Sequence, residues 1–323
     1  MSDRPAFQLF RGYAASAVLS SLHMAGLIGP PDRTTSEQHV DVPDTRGRPV
    51  VLACLEYLRR HGLVDGEGQR YRLTEAGSSV YRDASYLVWL HGGYGRVLAQ
   101  LPELLTGRAF FGVDITRDGR WVADASALIG RIDFVPQAME ILADVDFTRV
   151  LDLGCGNARF LLRVCQRFGA VGTGVDISLE ACERARREVE ESDVDGRVTI
   201  RCQDAVDLDS IPGLATTDLV VTFALLHEIL HQGLDVLVGF LTRLADALPT
   251  GARLLTLEVA PADPDAVHDG WAPEFTLVHA LMGQRLFTAR QWTEALREGG
   301  FRTRSVTYPP LPNGMLLLAE NTR

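Results

Sequence analysis

The spacing of apolar positions changes partway along the chain. Ala14 to Ala25 is an apolar-rich helical pattern, and Pro49 to His61 places Val50, Val51, Cys54, Leu55 and Leu58 on one helical face. Gly62 follows where a helix C′ residue belongs. Leu63–Asp65, a turn at Gly66-Glu67-Gly68 and Tyr71–Thr74 then predict a hairpin, and Thr74-Glu-Ala-Gly opens another helix. Helix, helix, hairpin is a winged-helix arrangement, spanning residues 1–82. Residues 83–146 keep a helical pattern, broken by the irregular stretch Phe110–Gly119, and read as a helical linker that covers one side of the site. From about residue 147 short apolar runs alternate with helical stretches. Strands are predicted at 149–153, 171–176, 197–202, 218–223 and 252–258, with 301–307 and 314–319 as a closing hairpin-like edge. That alternation predicts an α/β domain over 147–323, doubly wound, with helices on both faces of a mostly parallel sheet.

Composition narrows the function. A chain of 323 residues with 46% hydrophobic content supports about two domains with full cores. No apolar run approaches the ~20 residues that span a bilayer. Met1-Ser-Asp-Arg-Pro does not read as a signal peptide. Five scattered cysteines without a C-x-x-C pair suit a reducing cytoplasm. Lysine is absent, so Schiff-base lysine chemistry and a P-loop lysine are excluded. The net charge of −10 argues against nucleic acid as main substrate. The candidate recognition helix carries Arg48, Arg59 and Arg60 but also Glu56, near Asp41 and Asp44, too few cations for a phosphate face. Dimerisation is therefore the expected role of the first domain.

The most informative local motif is Val150-Leu-Asp-Leu-Gly-Cys-Gly-Asn-Ala-Arg159, followed by Gly172-Thr-Gly-Val-Asp176. An apolar run ends in Asp152, a Gly154-Cys-Gly156 turn opens a helix, and Asp176 ends the next run. This is the first βαβ unit of a nucleoside-binding sheet: glycines let the backbone approach a ligand, and the later carboxylate receives ribose hydroxyls. Arg159 stands where a dinucleotide fingerprint needs its third glycine. The motif instead resembles motif I of S-adenosylmethionine-dependent methyltransferases, with Ala158 in place of the last glycine. On that resemblance Asp204, in Cys202-Gln-Asp-Ala, meets the adenine amine. Asp218-Leu-Val-Val-Thr-Phe-Ala-Leu-Leu-His227 is then the fourth strand and active-site turn, with Phe223 against the cofactor.

His227-Glu-Ile-Leu-His231 also matches the H-E-x-x-H pattern of zinc proteases. Its place after the fourth strand of a nucleoside-binding sheet, with no third-ligand motif, argues against a protease. End to end the chain resembles winged-helix small-molecule O-methyltransferases, which are homodimers through that domain. In those enzymes a histidine at this place is the general base. This implies O-methylation of a phenolic natural product, with His227 taking the proton.

Leu-Leu-His227-Glu228 together with Val-His279-Ala-Leu resembles a narrower group: metal-dependent methyltransferases acting on the β-carbon of α-keto acids in natural-product pathways. The resemblance implies that His227 and His279 hold one metal ion, iron by preference, with zinc or nickel as alternatives. The chemistry agrees with it. A β-carbon is a poor nucleophile until its proton leaves, and a cation chelated by keto oxygen and carboxylate stabilises the enolate. Glu228 and Glu258 either complete a facial triad or orient a ligand histidine from behind. His231, one turn beyond His227, joins the metal, relays a proton or caps its helix. Proton acceptance falls to His231, Glu228 or metal-bound hydroxide. His268, in an Asp/Pro-rich loop, reads as solvated. A keto acid also needs a carboxylate partner, and Arg131 is the candidate clamp. Trp89, Tyr94, Phe110 and Phe111 either wall an aromatic pocket or belong to the core. The favoured reading is C-methylation of an α-keto acid by a cytoplasmic homodimer.

Overall fold

The computed structural model describes residues 4–30, 38–261 and 273–323. The chain divides into two compact units, Met1–Arg131 and Ile132–Arg323. Among the described residues no helix is long and apolar enough to cross a membrane.

The first unit opens with helix α1 (Pro5–Met24), strand β1 (His39–Val40), α2 (Arg48–Arg60), β2 (Val64–Glu67), β3 (Arg70–Leu73) and α3 (Glu75–Tyr81). The strands form one antiparallel sheet in the order β1-β3-β2. Leu19, Leu22, Leu55, Leu58, Leu73 and Tyr81 form its core. Proline at the first turn of α1 starts that helix well before Ala14, since its fixed φ suits a helix start. The hairpin turn also lies further on than expected. Gly66 and Glu67 are still in the ladder, opposite Tyr71 and Arg70, and the chain reverses beyond them. Gly66 stays paired because it has no side chain: a Cβ there would lie 2.0 Å from the Arg70 carbonyl oxygen. Thr74 caps α3 by accepting a hydrogen bond from the Gly77 N–H. On α2, Arg59 and Arg60 both close on Glu56, so part of this face's positive charge is neutralised within the helix.

Helices α4 (Ala84–Leu87), α5 (Tyr94–Ala99), α6 (Leu101–Leu105) and α7 (Gly119–Asp133) follow, with a π-helical turn at Val88–Gly93. Trp89 and Tyr94 are buried and stack at 4.5 Å, whereas Phe110 is exposed.

The second unit holds α8 (Val135–Ala143), β4 (Arg149–Leu153), α9 (Arg159–Phe168), β5 (Val171–Asp176), α10 (Leu179–Glu190), β6 (Val198–Cys202) and β7 (Leu219–Phe223). It continues with α11 (Leu226–His231), α12 (Leu234–Ala247), β8 (Arg253–Val259), α13 (Pro273–Leu281), α14 (Ala289–Glu298), β9 (Phe301–Thr307) and β10 (Gly314–Asn321). The seven strands run in the order β6-β5-β4-β7-β8-β10-β9. The first five are parallel, and β10 lies antiparallel between β8 and β9. The chain winds outward from β4 through β5 to β6, then returns to place β7 on the other side of β4. The carboxyl ends of β4 and β7 therefore flank the switch point where α/β sheets bind ligands. Leu151, Leu153, Val220, Leu254, Phe240 and Trp292 belong to the core that fixes this sheet. This is the Rossmann-like, doubly wound fold expected from the alternation of strands and helices.

Packing is tight beneath the glycine turn. A Cβ on Gly174 would meet Cys155 Sγ at 2.8 Å, Ile200 Cδ1 at 2.9 Å and Leu161 Cδ2 at 3.1 Å. Gly174→Ala is expected to cost about 1–3 kcal/mol of stability by overpacking. In denaturant titration the midpoint should fall with an unchanged slope.

Candidate active site

The turn after β4 is built on left-handed backbone. Gly154 has φ 79°, Gly156 φ 55° and Ala158 φ 60°. Ala158 thus holds a conformation that suits glycine, at a cost of about 1–2 kcal/mol for an L-residue. The Gly154 and Cys155 N–H groups both donate to the Val175 carbonyl, at 2.8 and 3.0 Å. The Gly156 N–H donates to Asp176 Oδ2 at 2.8 Å, and the Ser178 N–H to Oδ1 at 2.9 Å. These bonds lock the turn to the end of β5 and fix the Asp176 carboxylate. Each of its oxygens has a second lone pair able to accept a hydroxyl.

Asp152 is buried beside this turn, and its carboxyl is pushed up to about 7 by burial and then by the negative charge of Asp176. Asp204 is exposed and accepts the Val206 N–H at 3.0 Å, holding its own loop. Phe223, at the end of β7, packs its ring between Phe134 at 5.2 Å and Phe160 at 4.6 Å.

Beyond β7 stands a second constellation. Glu258, on β8, is wholly buried. Its Oε1 accepts the Leu226 N–H at 2.9 Å, and its Oε2 lies 2.7 Å from His227 Nδ1. The carboxylate so caps the start of α11 and holds the proton of His227 on Nδ1, leaving the neutral ring's lone pair on Nε2. His279, in the last turn of α13, has Nδ1 2.6 Å from the Phe275 carbonyl oxygen. A carbonyl only accepts, so this ring also carries its proton on Nδ1 and its lone pair on Nε2. Both histidines are buried, and their rings lie 5.4 Å apart, inclined at 76°. Glu228 Oε1 is 3.8 Å from His227 Nε2, and Glu228 Oε2 accepts the Gln284 side-chain N–H at 2.6 Å.

Three comparisons bear on these two clusters. The Methyltransferase domain family matches residues 150–251. A 2-ketoarginine methyltransferase of Streptomyces arginensis is 29% identical over 94% of this chain and 90% of its own length. An indolepyruvate C-methyltransferase of Streptomyces griseus is 28% identical over 86% of this chain and 82% of its own. The protein is a class I, S-adenosylmethionine-dependent methyltransferase. Human N-acetylserotonin methyltransferase, solved with S-adenosylmethionine, shares the fold at a TM-score of 0.68 and 18% identity, covering 100% of this chain and 99% of that one.

Within this methyltransferase the structure brings Asp152, Gly154, Gly156 and Asp176 together, and separately joins His227, Glu228 and His279. His231 is exposed at the end of α11, and its Cε1 lies 3.9 Å from where a Cβ on Gly283 would stand. The partner of His227 across the site is His279, from a different helix, rather than the second histidine of H-E-x-x-H. Arg131 is exposed and belongs to the first unit. His268 lies outside the described residues. Phe134, Phe160 and Gln284 are additions that sequence reasoning did not single out. Only Gln284 carried a local signal, standing just past Gly283 at a helix end.

Asp152 gives the methyltransferase a pH signature. Its folded value of about 7 lies above the ordinary 3.8. The folded chain holds a proton that the unfolded chain releases, so stability falls as pH rises from about 4 to about 7. Asp152→Asn removes that slope. The variant without cofactor should melt several degrees higher than wild type at about pH 8 and show no gain near pH 4.

Proposed function

We propose that this methyltransferase transfers the methyl group of S-adenosylmethionine to the β-carbon of an α-keto acid in natural-product biosynthesis. The observation that carries the reading is the buried pair His227 and His279, each with Nδ1 at hydrogen-bond distance from an oxygen acceptor. Ligand histidines characteristically donate their other ring N–H to a carboxylate or a backbone carbonyl, and these two do one each. The names of the two Streptomyces relatives point to keto acid acceptors.

The residues present fit a metal ion held by two imidazoles. Among the described residues no group of three or more His, Cys, Asp or Glu is arranged to hold one. Substrate and water would therefore complete the sphere around His227 and His279, with iron the first choice and zinc or nickel the alternatives. Such an ion supplies Lewis acidity to the keto oxygen, lowering the cost of removing the β-proton. Glu258 fixes the ring of His227, and the Phe275 carbonyl fixes that of His279. Glu228 and His231 are the candidate proton acceptors. Arg131 is the proposed carboxylate clamp on the strength of its bidentate fork. For the cofactor, the Gly154–Gly156 turn receives it closely, Asp176 takes the ribose hydroxyls and Asp204 the adenine amine. Asp152 and Phe223 complete the set.

Metal measured by mass spectrometry in untagged protein tests the reading. Near-stoichiometric metal is expected, lost in both His227→Ala and His279→Ala. Turnover of α-keto acids should fall in each by at least the ~100-fold that losing an outer partner of a ligand can cost. Chelators should inhibit. If His279→Ala keeps full activity while His227→Ala is dead, the enzyme is an O-methyltransferase of a phenolic acceptor, with His227 as general base.

The first unit supplies the proposed homodimer contact. Helix α1 exposes Leu9 (79%), Phe10 (70%) and Tyr13 (75%), large apolar side chains that a lone subunit leaves in water. Phe10→Glu should shift the protein from dimer toward monomer in sedimentation while leaving the cofactor affinity within about twofold of wild type.

A further inference from the structure

Gln284 touches both histidine-bearing segments. Gly283 follows α13 with φ 71°, and the Gln284 backbone N–H reaches back 2.8 Å to the His279 carbonyl oxygen. This is the bond that closes a Schellman helix end. The Gln284 side chain turns the other way and donates to Glu228 Oε2 at 2.6 Å. Glu228 adjoins His227 on α11. One residue thus spans from the C-terminal end of the helix that carries His279 to the helix that carries His227.

The remaining atom of this amide adds a second observation. Gln284 Oε1 is buried without a hydrogen-bond partner. A buried acceptor left unmet is costly, and such groups mark places where water or a ligand supplies the donor. With the N–H committed to a carboxylate, which only accepts, the amide cannot flip without bringing two oxygens together.

We propose that Gln284 is a positioning residue of the two-histidine centre: it sets the spacing of His227 and His279 and aims Glu228. The inference rests on the metal reading above. Because the tie to His279 is made by the backbone N–H, it survives replacement of the side chain by that of methionine, and only the tie to Glu228 is removed. Gln284→Met keeps the length and bulk of the side chain and loses that bond. Glu228→Gln keeps an oxygen able to accept it.

The test is a double-mutant cycle read with cobalt(II) alone, by its visible absorption and by titration of metal-free protein. Gln284→Met should weaken cobalt binding about 10–100-fold, the usual effect of losing an outer-sphere partner, and alter the absorption bands. Glu228→Gln should bind within a few-fold of wild type, because the amide bond is kept. Glu228→Ala combined with Gln284→Met should be no weaker than Glu228→Ala alone, since both remove one interaction. Affinity for S-adenosylmethionine, by calorimetry, should be unchanged in Gln284→Met, which a general loss of structure would not allow. If Gln284→Met binds cobalt as wild type does, with the same bands, the positioning role is overturned. Losses that add in the double variant overturn it as well. Wild-type protein that takes up no cobalt overturns the two-histidine reading and this inference with it.

Discussion

The site depends on one buried carboxylate. Glu258 sits on the fifth parallel strand with no exposed surface and divides its two oxygens between a backbone N–H and an imidazole. The first bond satisfies an orphan donor at the start of α11, and the second sets the tautomer and plane of His227. A buried charge is tolerable only when hydrogen-bonded on both sides, so the same two bonds that make Glu258 stable also make His227 directional. Either proposed use of His227, as ligand or as base, requires the lone pair on Nε2, and Glu258 at Nδ1 favours that tautomer. The second histidine obeys the same rule with a different acceptor, the carbonyl one turn back in its own helix.

Topology decides why these groups meet. Glu258 lies near the end of β8, Phe223 pairs with Leu257 beside it, and α11 begins just past β7. The glycine turn leaves β4 on the other side of β7. Leu225, between the β7 end and α11, comes within ordinary van der Waals reach of Gly154, 3.7 Å from where its Cβ would be. The two clusters therefore lie around one switch point: the glycine turn after β4, and past β7 the His227–Glu258 pair, with His279 of α13 beside it. Methyl transfer needs this adjacency, because cofactor sulfur and acceptor atom must align within contact distance.

The strands were legible because their residues are apolar on both faces, as buried parallel strands require: Val150, Leu151 and Leu153 in β4, Leu219, Val220 and Val221 in β7. The glycine turn and Asp176 were legible because their spacing is local and each residue type has a mechanical reason. The hairpin turn was misplaced by the rule that glycine marks a reversal, since Gly66 sits inside the ladder and serves close backbone approach instead. His279 stands 52 residues past His227. No periodicity joins them, and only a likeness to known enzymes paired them. The link from Gln284 to Glu228, 56 residues apart, and the ring contacts of Phe134 and Phe160 with Phe223 needed the fold. Local patterns report backbone requirements. Side-chain constellations assembled across crossovers leave no such pattern.

Two unfavourable features meet at the turn after β4. Two carboxylates, Asp152 and Asp176, stand close enough for the charge of one to oppose ionisation of the other, and one of them is buried. Ala158 adds backbone strain at the same turn. These features oppose stability. With S-adenosylmethionine received at this turn, as proposed above, any positive charge brought near the pair would favour the ionised form of Asp152.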